Sequence, residues 1–246
     1  MNQELLDALK ECEQDSMIEV WIPSKESLIS FKSINIDQQK SVMELIAADG
    51  EEFLLELKAF DKITSIIKEN SVESLKDINI IDRAVILWQL RADINNKYIF
   101  NNEDGLEITA NLDATLETLK TIKTPGGKSI EVKKIKIKLE YPSVEKNKSI
   151  DSKIIKLIET ELVDAEPITI GISIIEYELC KYISSLTAGT YCADDEDEII
   201  SIISKLPAEV ITEINLYITE SDKVLEPLYN TNGVEFAPNS SFFVSI

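Results

Sequence analysis

The sequence IEVWIPSKESLISF, residues 18–31, carries the clearest structural signal in the chain. Apolar Ile18, Val20 and Ile22 alternate with other side chains, which is the period of a β-strand with one buried face. Residues 23–27 have the composition of a turn, and a second apolar run follows them. The stretch therefore predicts a β-hairpin. Because a hairpin alone buries little apolar surface, we expect helices to pack against it.

Helical periodicity follows the hairpin. Asn35 and Gln38 have the spacing of a capping box, so a helix is predicted to begin after Asn35. Two further helices are predicted at about 51–69 and 81–92, and an amphipathic one precedes the hairpin at 2–14. The helix at 81–92 is apolar on most of its faces, and such helices are usually buried. We expect it at the centre of the N-terminal half.

After Tyr98 the apolar period changes to two, which predicts a small central antiparallel sheet. The predicted strand segments are 106–110, 116–122, 130–132 and 135–141, with a turn at 124–127. Lys133 and Lys134 lie where the alternation changes phase, and such a change indicates a β-bulge.

The C-terminal part returns to helical patterns, at 152–163, 173–185, 196–205 and 208–219. Residues 228–236 then predict a short hairpin that turns at Asn232-Gly233. The predicted fold class is therefore α+β. Its parts are an N-terminal hairpin-plus-helices domain (1–95), a central antiparallel section (96–148) and a helical C-terminal domain with a terminal hairpin (149–246).

The chain ends on the apolar residues Phe242-Phe243-Val244-Ser245-Ile246. Burying each phenylalanine fully is worth roughly 1.5–3 kcal/mol, so we expect this end to be buried. It can dock on its own fold or fill a groove of a partner, which makes Phe242 and Phe243 candidate partner-binding residues. The hairpin just before it favours docking on its own fold.

Composition excludes several classes of function. The 246 residues include 45 acidic and 25 basic side chains, a net charge of −20, and no histidine. A negative field repels nucleic acid and anionic membrane surfaces, so we expect neither as a partner. Histidine is the commonest general base and metal ligand, and its absence weighs against catalysis and metal binding. No apolar run approaches the roughly 20 residues of a membrane span.

The cysteines and the N-terminus indicate an intracellular protein. Cys12, Cys180 and Cys192 form no C-x-x-C pair, and free thiols are typical of a reducing cytoplasm. The first fifteen residues are too acidic and too interrupted for a signal peptide.

Two short motifs suggest chemistry, and each has a simpler explanation. Gly127-Lys128-Ser129 matches the end of a P-loop, but Ile122 stands where that motif needs a glycine, so a hairpin turn fits better. The acidic run at 194–198 lacks the ligand spacing of an EF-hand loop. Helix capping is the favoured interpretation of this run, and weak cation binding is the alternative.

Residues 120–148 form a basic segment in an acidic chain. They contain nine lysines and three glutamates, a net charge of +6, whereas the remainder of the chain carries −26. Lys134, Lys136 and Lys138 alternate with apolar residues and are predicted to share one strand face. They either prevent a sheet edge from pairing with other sheets or form a docking face for an acidic partner. No catalytic constellation and no cofactor motif is recognised, which predicts a protein that is not an enzyme.

Several short motifs occur along the chain in a recognisable order. They are Ile22-Pro23-Ser24, Ile29-Ser30-Phe31-Lys32, residues 35–40, Asp82 with residues 87–92, residues 137–143, residues 202–207 and Phe242-Phe243. In this order the motifs resemble the baseplate hub assembly family of T-even-like contractile-tailed bacteriophages. The resemblance covers nearly the whole chain.

This resemblance implies a role in virion assembly through protein–protein contacts, with other baseplate hub or tail proteins as partners. It implies that the protein acts in the host cytoplasm during assembly or resides in the baseplate of the virion tail. A permanent hub subunit and a departing assembly factor both fit. Two alternatives remain, a tail-assembly chaperone that shields another tail protein and an enzyme whose carboxylates converge from distant positions.

Overall fold

The computed structural model describes residues 17–75, 77–101, 104–162, 166–231, 234–236 and 238–244. The fold is α+β, with small antiparallel sheets and a mainly helical C-terminal part, as predicted. The helix predicted at 2–14 lies outside the described residues. The chain forms two compact units, which we call unit 1 (residues 1–123 and 225–246) and unit 2 (residues 124–224).

The helices and strands of the described residues follow one another along the chain. The first are β1 (Met17–Ile22), β2 (Ser27–Lys32), α1 (Ile36–Ile46), α2 (Glu52–Asn70), α3 (Ile80–Ile94), β3 (Lys97–Asn101), β4 (Glu107–Asn111), α4 (Leu116–Thr121), β5 (Lys128–Val132) and β6 (Ile135–Leu139). They continue as α5 (Val144–Thr160), α6 (Pro167–Tyr182), β7 (Ile183–Ala188), β8 (Tyr191–Ala193), α7 (Glu196–Ile203), α8 (Ala208–Asp222), α9 (Glu226–Tyr229), β9 (Asn230–Thr231) and β10 (Val234–Glu235). Short 3-10 turns cover Pro23–Lys25, Lys223–Leu225 and Ser240–Phe243.

The N-terminal hairpin is confirmed. Strands β1 and β2 pair antiparallel from Met17 opposite Lys32 to Ile22 opposite Ser27. Glu26 closes the turn in the left-handed region at φ 46°. The predicted capping box is also confirmed, since Asn35 Oδ1 accepts from the backbone of Gln38 at 2.9 Å and the Gln38 side chain accepts in return.

Helix α3 is the buried centre of unit 1, as its apolar faces predict. Val85, Ile86 and Leu90 have no exposed surface. A second capping box, absent from the sequence predictions, starts this helix. Asn79 Oδ1 accepts from the backbone N–H of Asp82 at 2.9 Å, and Asp82 Oδ2 accepts from that of Asn79 at 2.9 Å.

Two polar side chains of α3 also hold the hairpin in place. Asp82 Oδ1 accepts from the backbone N–H of Ser24 at 2.9 Å. The Gln89 side chain accepts from the backbone N–H of Trp21 at 2.9 Å and donates to its carbonyl at 3.0 Å. The backbone N–H and C=O of Trp21, which β2 leaves unpaired, thereby gain hydrogen-bond partners. This matters because buried backbone groups without partners are costly.

The chain end docks inside unit 1. Phe242 and Phe243 are fully buried, and the turn that carries them packs against α1, α2 and α3. The Phe242 ring lies edge-on to Tyr98, with 5.0 Å between ring centroids. Ser240 donates from its backbone N–H and its hydroxyl to the Glu56 carboxylate, at 2.6 and 2.5 Å. Docking is internal, so neither phenylalanine side chain is exposed to a partner.

The central section differs from its prediction in three ways. Residues 116–122 are not a strand, because Thr115 Oγ1 accepts from the backbone of Thr118 and caps helix α4. Residues 124–127 are not a hairpin turn, because β5 begins only at Lys128. Lys133 and Lys134 are the two-residue turn between β5 and β6 rather than a bulge, since Val132 pairs with Ile135 and Lys133 has φ 58°.

The helix predicted at 173–185 ends at Tyr182, and two unpredicted strands follow it. Strands β7 and β8 complete a four-stranded sheet in the order β5-β6-β7-β8. Leu179, Ile183 and Leu186 are spaced by four and three residues, a pattern that also fits a helix. The bulge in this sheet lies at Ser184, where the register between β6 and β7 shifts.

These pairings regroup the predicted domains. The hairpin of β3 and β4 lies in unit 1, whereas β5 and β6 pair with β7 in unit 2. The predicted boundaries at 95/96 and 148/149 therefore do not coincide with the division into units. The final hairpin is confirmed, because Thr231 pairs with Val234 and Asn230 with Glu235.

Candidate functional site

The predicted lysine face lies on an interior strand. Lys136 and Lys138 are exposed on β6, whereas Lys134 lies in the preceding turn. Strand β6 has β5 on one side and β7 on the other. The interpretation that these lysines protect a sheet edge is therefore wrong. Docking of an acidic partner stays a prediction.

Acidic and hydroxyl side chains surround the two lysines of β6. Lys136 lies opposite Glu131 on β5 and Thr187 on β7. Lys138 forms an ion pair with Glu140. Opposite charges at facing positions of a sheet attract one another. The surface is therefore polar and of mixed charge, and the charge of Lys138 is partly neutralised within it.

A more pronounced surface feature lies on helix α6. Ile168, Ile172 and Ile175 are 70%, 64% and 54% exposed. Their spacing of four and three residues places them on one side of the helix, and we call them the isoleucine face. Burying one isoleucine fully is worth roughly 1.5–3 kcal/mol, so a partner that covered all three would gain considerable free energy. Contiguous exposed apolar side chains are typical of interaction sites.

The sequence around the isoleucine face carries no charge. Between Pro167 and Ile175 no residue is acidic or basic, which is unusual in a chain with 28% charged residues. The sequence prediction missed this surface because it began the helix at Ser173. The available signal was the spacing of isoleucines at 168, 172 and 175, together with Pro167, which suits a first helical turn.

The C-terminal half of α6 is firmly anchored in unit 2. Lys181 forms a buried ion pair with Asp151 of α5, at 2.7 Å, and also binds Glu178 at 2.8 Å. Asn147 donates to the second oxygen of Asp151 at 2.5 Å. A buried ion pair needs such additional hydrogen bonds to offset its desolvation. The exposed isoleucines thus stand on a helix whose other end is fixed.

The acidic run at 194–198 begins helix α7. Asp195 is the N-cap, and its Oδ1 accepts from the backbone of Asp197 at 3.0 Å and of Glu198 at 3.2 Å. Glu196 pairs with Lys153 at 3.1 Å. The favoured capping interpretation is confirmed. Within the described ranges, no group of three or more His, Cys, Asp or Glu side chains is arranged to hold a metal ion.

The P-loop-like fragment leads into a strand rather than a helix. Lys128 is the first residue of β5, and its Nζ forms an ion pair with Glu213 at 3.1 Å. The carbonyl of Gly126 accepts from the hydroxyl of Tyr217 at 3.3 Å. These contacts tie the fragment to helix α8.

The two described cysteines have different environments. Cys180 is fully buried, and burial raises the pKa of its thiol to about 11. Cys192 is exposed on β8. A thiol is nucleophilic only as the thiolate, so Cys180 is inert at neutral pH.

None of the helices in the part of the chain that the structure describes is both long and apolar enough to cross a membrane. No protein-family model, no curated protein and no solved structure matches the chain.

Proposed function

We propose that this protein takes part in assembly of the baseplate hub of a contractile-tailed bacteriophage, and that it acts by contacting other tail proteins. The observation that carries a contact-based function is the isoleucine face of α6, where three neighbouring isoleucines are more than half exposed. The family part of the proposal rests on the resemblance of the ordered sequence motifs.

Two of the motifs on which the resemblance rests are in contact in the fold. Ile22-Pro23-Ser24 and the stretch from Asp82 to Ala92 lie far apart in the sequence. In the fold they meet, because Asp82 Oδ1 accepts from the backbone N–H of Ser24. Residues that together hold a hairpin on a helix are expected to recur together in proteins with that fold.

The proposed partners are baseplate hub or tail proteins, and the proposed place of action is the host cytoplasm during assembly or the virion baseplate. No catalytic step and no cofactor is part of the proposal. An exposed apolar helix also suits a tail-assembly chaperone, which would cover apolar surface on another tail protein until that protein is assembled.

A complementation experiment tests the proposal. The gene is disrupted in the phage that encodes it, and the wild-type protein or a variant is supplied in the host. The variant Ile168→Ser/Ile172→Ser/Ile175→Ser removes the isoleucine face. A matched control, Ile36→Ser/Val72→Ser/Ile99→Ser, changes three scattered side chains that are 69%, 59% and 58% exposed.

Electron microscopy of lysates counts complete tails. We expect no complete tails without the protein, and normal numbers with the wild type or the control. We expect the face variant to restore none, although its melting temperature is unchanged. Normal tails without the protein would refute the assembly role. Mass spectrometry of purified virions then separates a permanent subunit, which is present, from a departing factor or chaperone, which is absent.

A further inference from the structure

Unit 1 contains an open groove that none of the predicted sites explains. Its volume is about 450 Å³. It lies between β1, helix α3, the segment after β4 and helix α4. The lining residues are Ile18, Glu19, Leu28, Trp88, Gln89, Ala92, Asp93, Leu112, Asp113, Ala114, Leu116 and Leu119.

The groove has an apolar lining that is partly open to solvent. Trp88, Leu112 and Leu119 are buried, whereas Leu28 and Leu116 are 44% and 36% exposed. Two exposed leucines beside a cavity provide apolar area that a bound side chain can cover. The cavity is also preformed, because the hydrogen bonds between Gln89 and Trp21 fix β1 against α3.

The charged side chains of the groove are all acidic. Glu19, Asp93 and Asp113 are exposed, and no lysine or arginine is among the described lining residues. Each carboxylate accepts a hydrogen bond from a neutral side chain, respectively Ser30, Ser33 (2.6 Å) and Asn96 (2.9 Å). Such bonds orient a carboxylate without cancelling its charge. None of the three forms an ion pair within the described part of the chain.

We propose that this groove binds a segment of another protein in which apolar residues alternate with lysine or arginine. The apolar side chains would cover Leu28 and Leu116, while the basic side chains would meet the three carboxylates. Complementary charge of this kind determines specificity and raises association rates. Nucleic acid has the wrong charge for this surface.

Two other occupants can be compared by charge. Residues 1–16 carry apolar leucines, but they have five acidic side chains and one lysine, so their charge is repelled by the groove. A second copy of the chain would bring a net charge of −20, and its alternating isoleucines and lysines at 135–139 lie in β6, an interior strand of a folded sheet. A basic segment of a different protein is the occupant that fits both the apolar and the charged parts of the groove.

The test uses the full-length chain with Trp21→Phe. The chain has two tryptophans, so Trp88 in the groove becomes the only indole fluorophore. The probe is a short blocked peptide of leucine and lysine pairs. Two control peptides have glutamate in place of lysine, or serine in place of leucine. We expect saturable binding of the leucine–lysine peptide alone, with a change in Trp88 emission and weaker binding as salt rises.

Charge variants assign the binding to the groove. Glu19→Gln/Asp93→Asn/Asp113→Asn should weaken peptide binding roughly tenfold, because three exposed ion pairs that each contribute modestly to affinity are lost together. The matched control Glu44→Gln/Glu69→Gln/Glu73→Gln removes three exposed charges elsewhere in unit 1 and should leave affinity unchanged. Equal weakening by both variants, or no saturable binding, would overturn the proposal.

Two further experiments ask whether the groove has a different occupant, which would also overturn the proposal. Deleting residues 1–16 should leave peptide affinity unchanged. Tenfold tighter binding after this deletion would mean that the chain's own N-terminal segment occupies the groove. Sedimentation of the peptide-free protein should give the same mass for the wild type and the groove variant. A dimer that dissociates only in the groove variant would identify a second copy as the occupant.

Discussion

Asp82 shows how one residue joins distant parts of the sequence. Its carboxylate has no exposed surface, and its two oxygens accept from different backbone donors, Ser24 of the hairpin turn and Asn79 at the start of α3. The same residue therefore caps a helix and fixes a hairpin. A buried carboxylate is tolerated only where donors of this kind compensate its desolvation.

Replacing Asp82 should destabilise unit 1. Asp82→Ala leaves the backbone N–H groups of Ser24 and Asn79 without their acceptor, and we expect a loss of about 2–4 kcal/mol in the free energy of unfolding. Urea denaturation followed by tryptophan fluorescence measures it. The control Asp49→Ala removes an exposed carboxylate and should change the free energy by less than about 0.5 kcal/mol. Equal effects of the two variants would contradict the role given to Asp82.

The two described thiols should differ in reactivity. In a Cys12→Ser variant, iodoacetamide at neutral pH should alkylate Cys192 and spare Cys180, because Cys180 is buried and its pKa is raised to about 11. Mass spectrometry of tryptic peptides locates the label. Denaturation before labelling is the control and should make both thiols reactive. Rapid labelling of Cys180 in the folded protein would contradict its placement.

The same raised pKa makes the stability contribution of Cys180 depend on pH. Below the unfolded pKa, about 9, both states hold the proton and the contribution is complete. As pH rises from about 9 to about 11, the unfolded thiol ionises while the folded thiol stays protonated, so unfolding is favoured. The stability difference between wild type and Cys180→Ala should therefore shrink over this range in urea titrations. A constant difference would contradict the assignment.

At the scale of elements, local signals were predictive and long-range pairing was not. The hairpin at 17–32 and the capping box at Asn35 depend on residues close in sequence, and both were predicted. Strand β7 forms because β6, about fifty residues earlier in the chain, offers it an edge, and β8 then pairs with β7. No local pattern distinguishes such a strand from the end of a helix.

The candidate surfaces were predicted only in part. Exposure of Lys136 and Lys138 follows from alternation along a strand, so it was predictable. That β6 is an interior strand was not, because it depends on the unpredicted strand β7. The isoleucine face depends on where helix α6 begins, and helix ends are the least certain part of a sequence prediction.

The mixed-charge sheet surface yields a prediction for β6. Lys136→Glu places like charges opposite each other at Glu131, and we expect a loss of about 0.5–1 kcal/mol in the free energy of unfolding. Lys134→Glu makes the same charge change in the turn and should cost less than about 0.5 kcal/mol. Urea denaturation compares the two. A larger loss for Lys134→Glu would contradict the register.

In the whole molecule, the two units differ in how the chain forms them. Unit 2 is one continuous segment, whereas unit 1 is completed only when residues 225–246 return to it. The returning segment supplies Phe236 and Phe242 to an aromatic cluster with Tyr98 and Phe100. The stability of unit 1 therefore depends on residues from both ends of the described chain.

This connectivity leads to a prediction about the chain end. Phe242→Ala removes a fully buried ring, and such substitutions cost about 3–5 kcal/mol. That is a large part of the roughly 5–15 kcal/mol that stabilises a typical domain. The transition of unit 1 should therefore move to a much lower temperature. Calorimetry of the full chain measures it, and the isolated segment 124–224 serves as the reference that identifies the transition of unit 2.

The segment 124–224 should fold alone, with a cooperative transition and a helical circular dichroism spectrum, because its sheet and buried ion pair are complete within it. Residues 1–123 alone lack Phe236 and Phe242, so they should show no cooperative transition until a peptide of residues 225–246 is added. Phe242→Ala in that peptide should abolish the rescue, whereas Asn230→Ala, an exposed position, should not. A stable fold of residues 1–123 without the peptide would show that the chain end is dispensable.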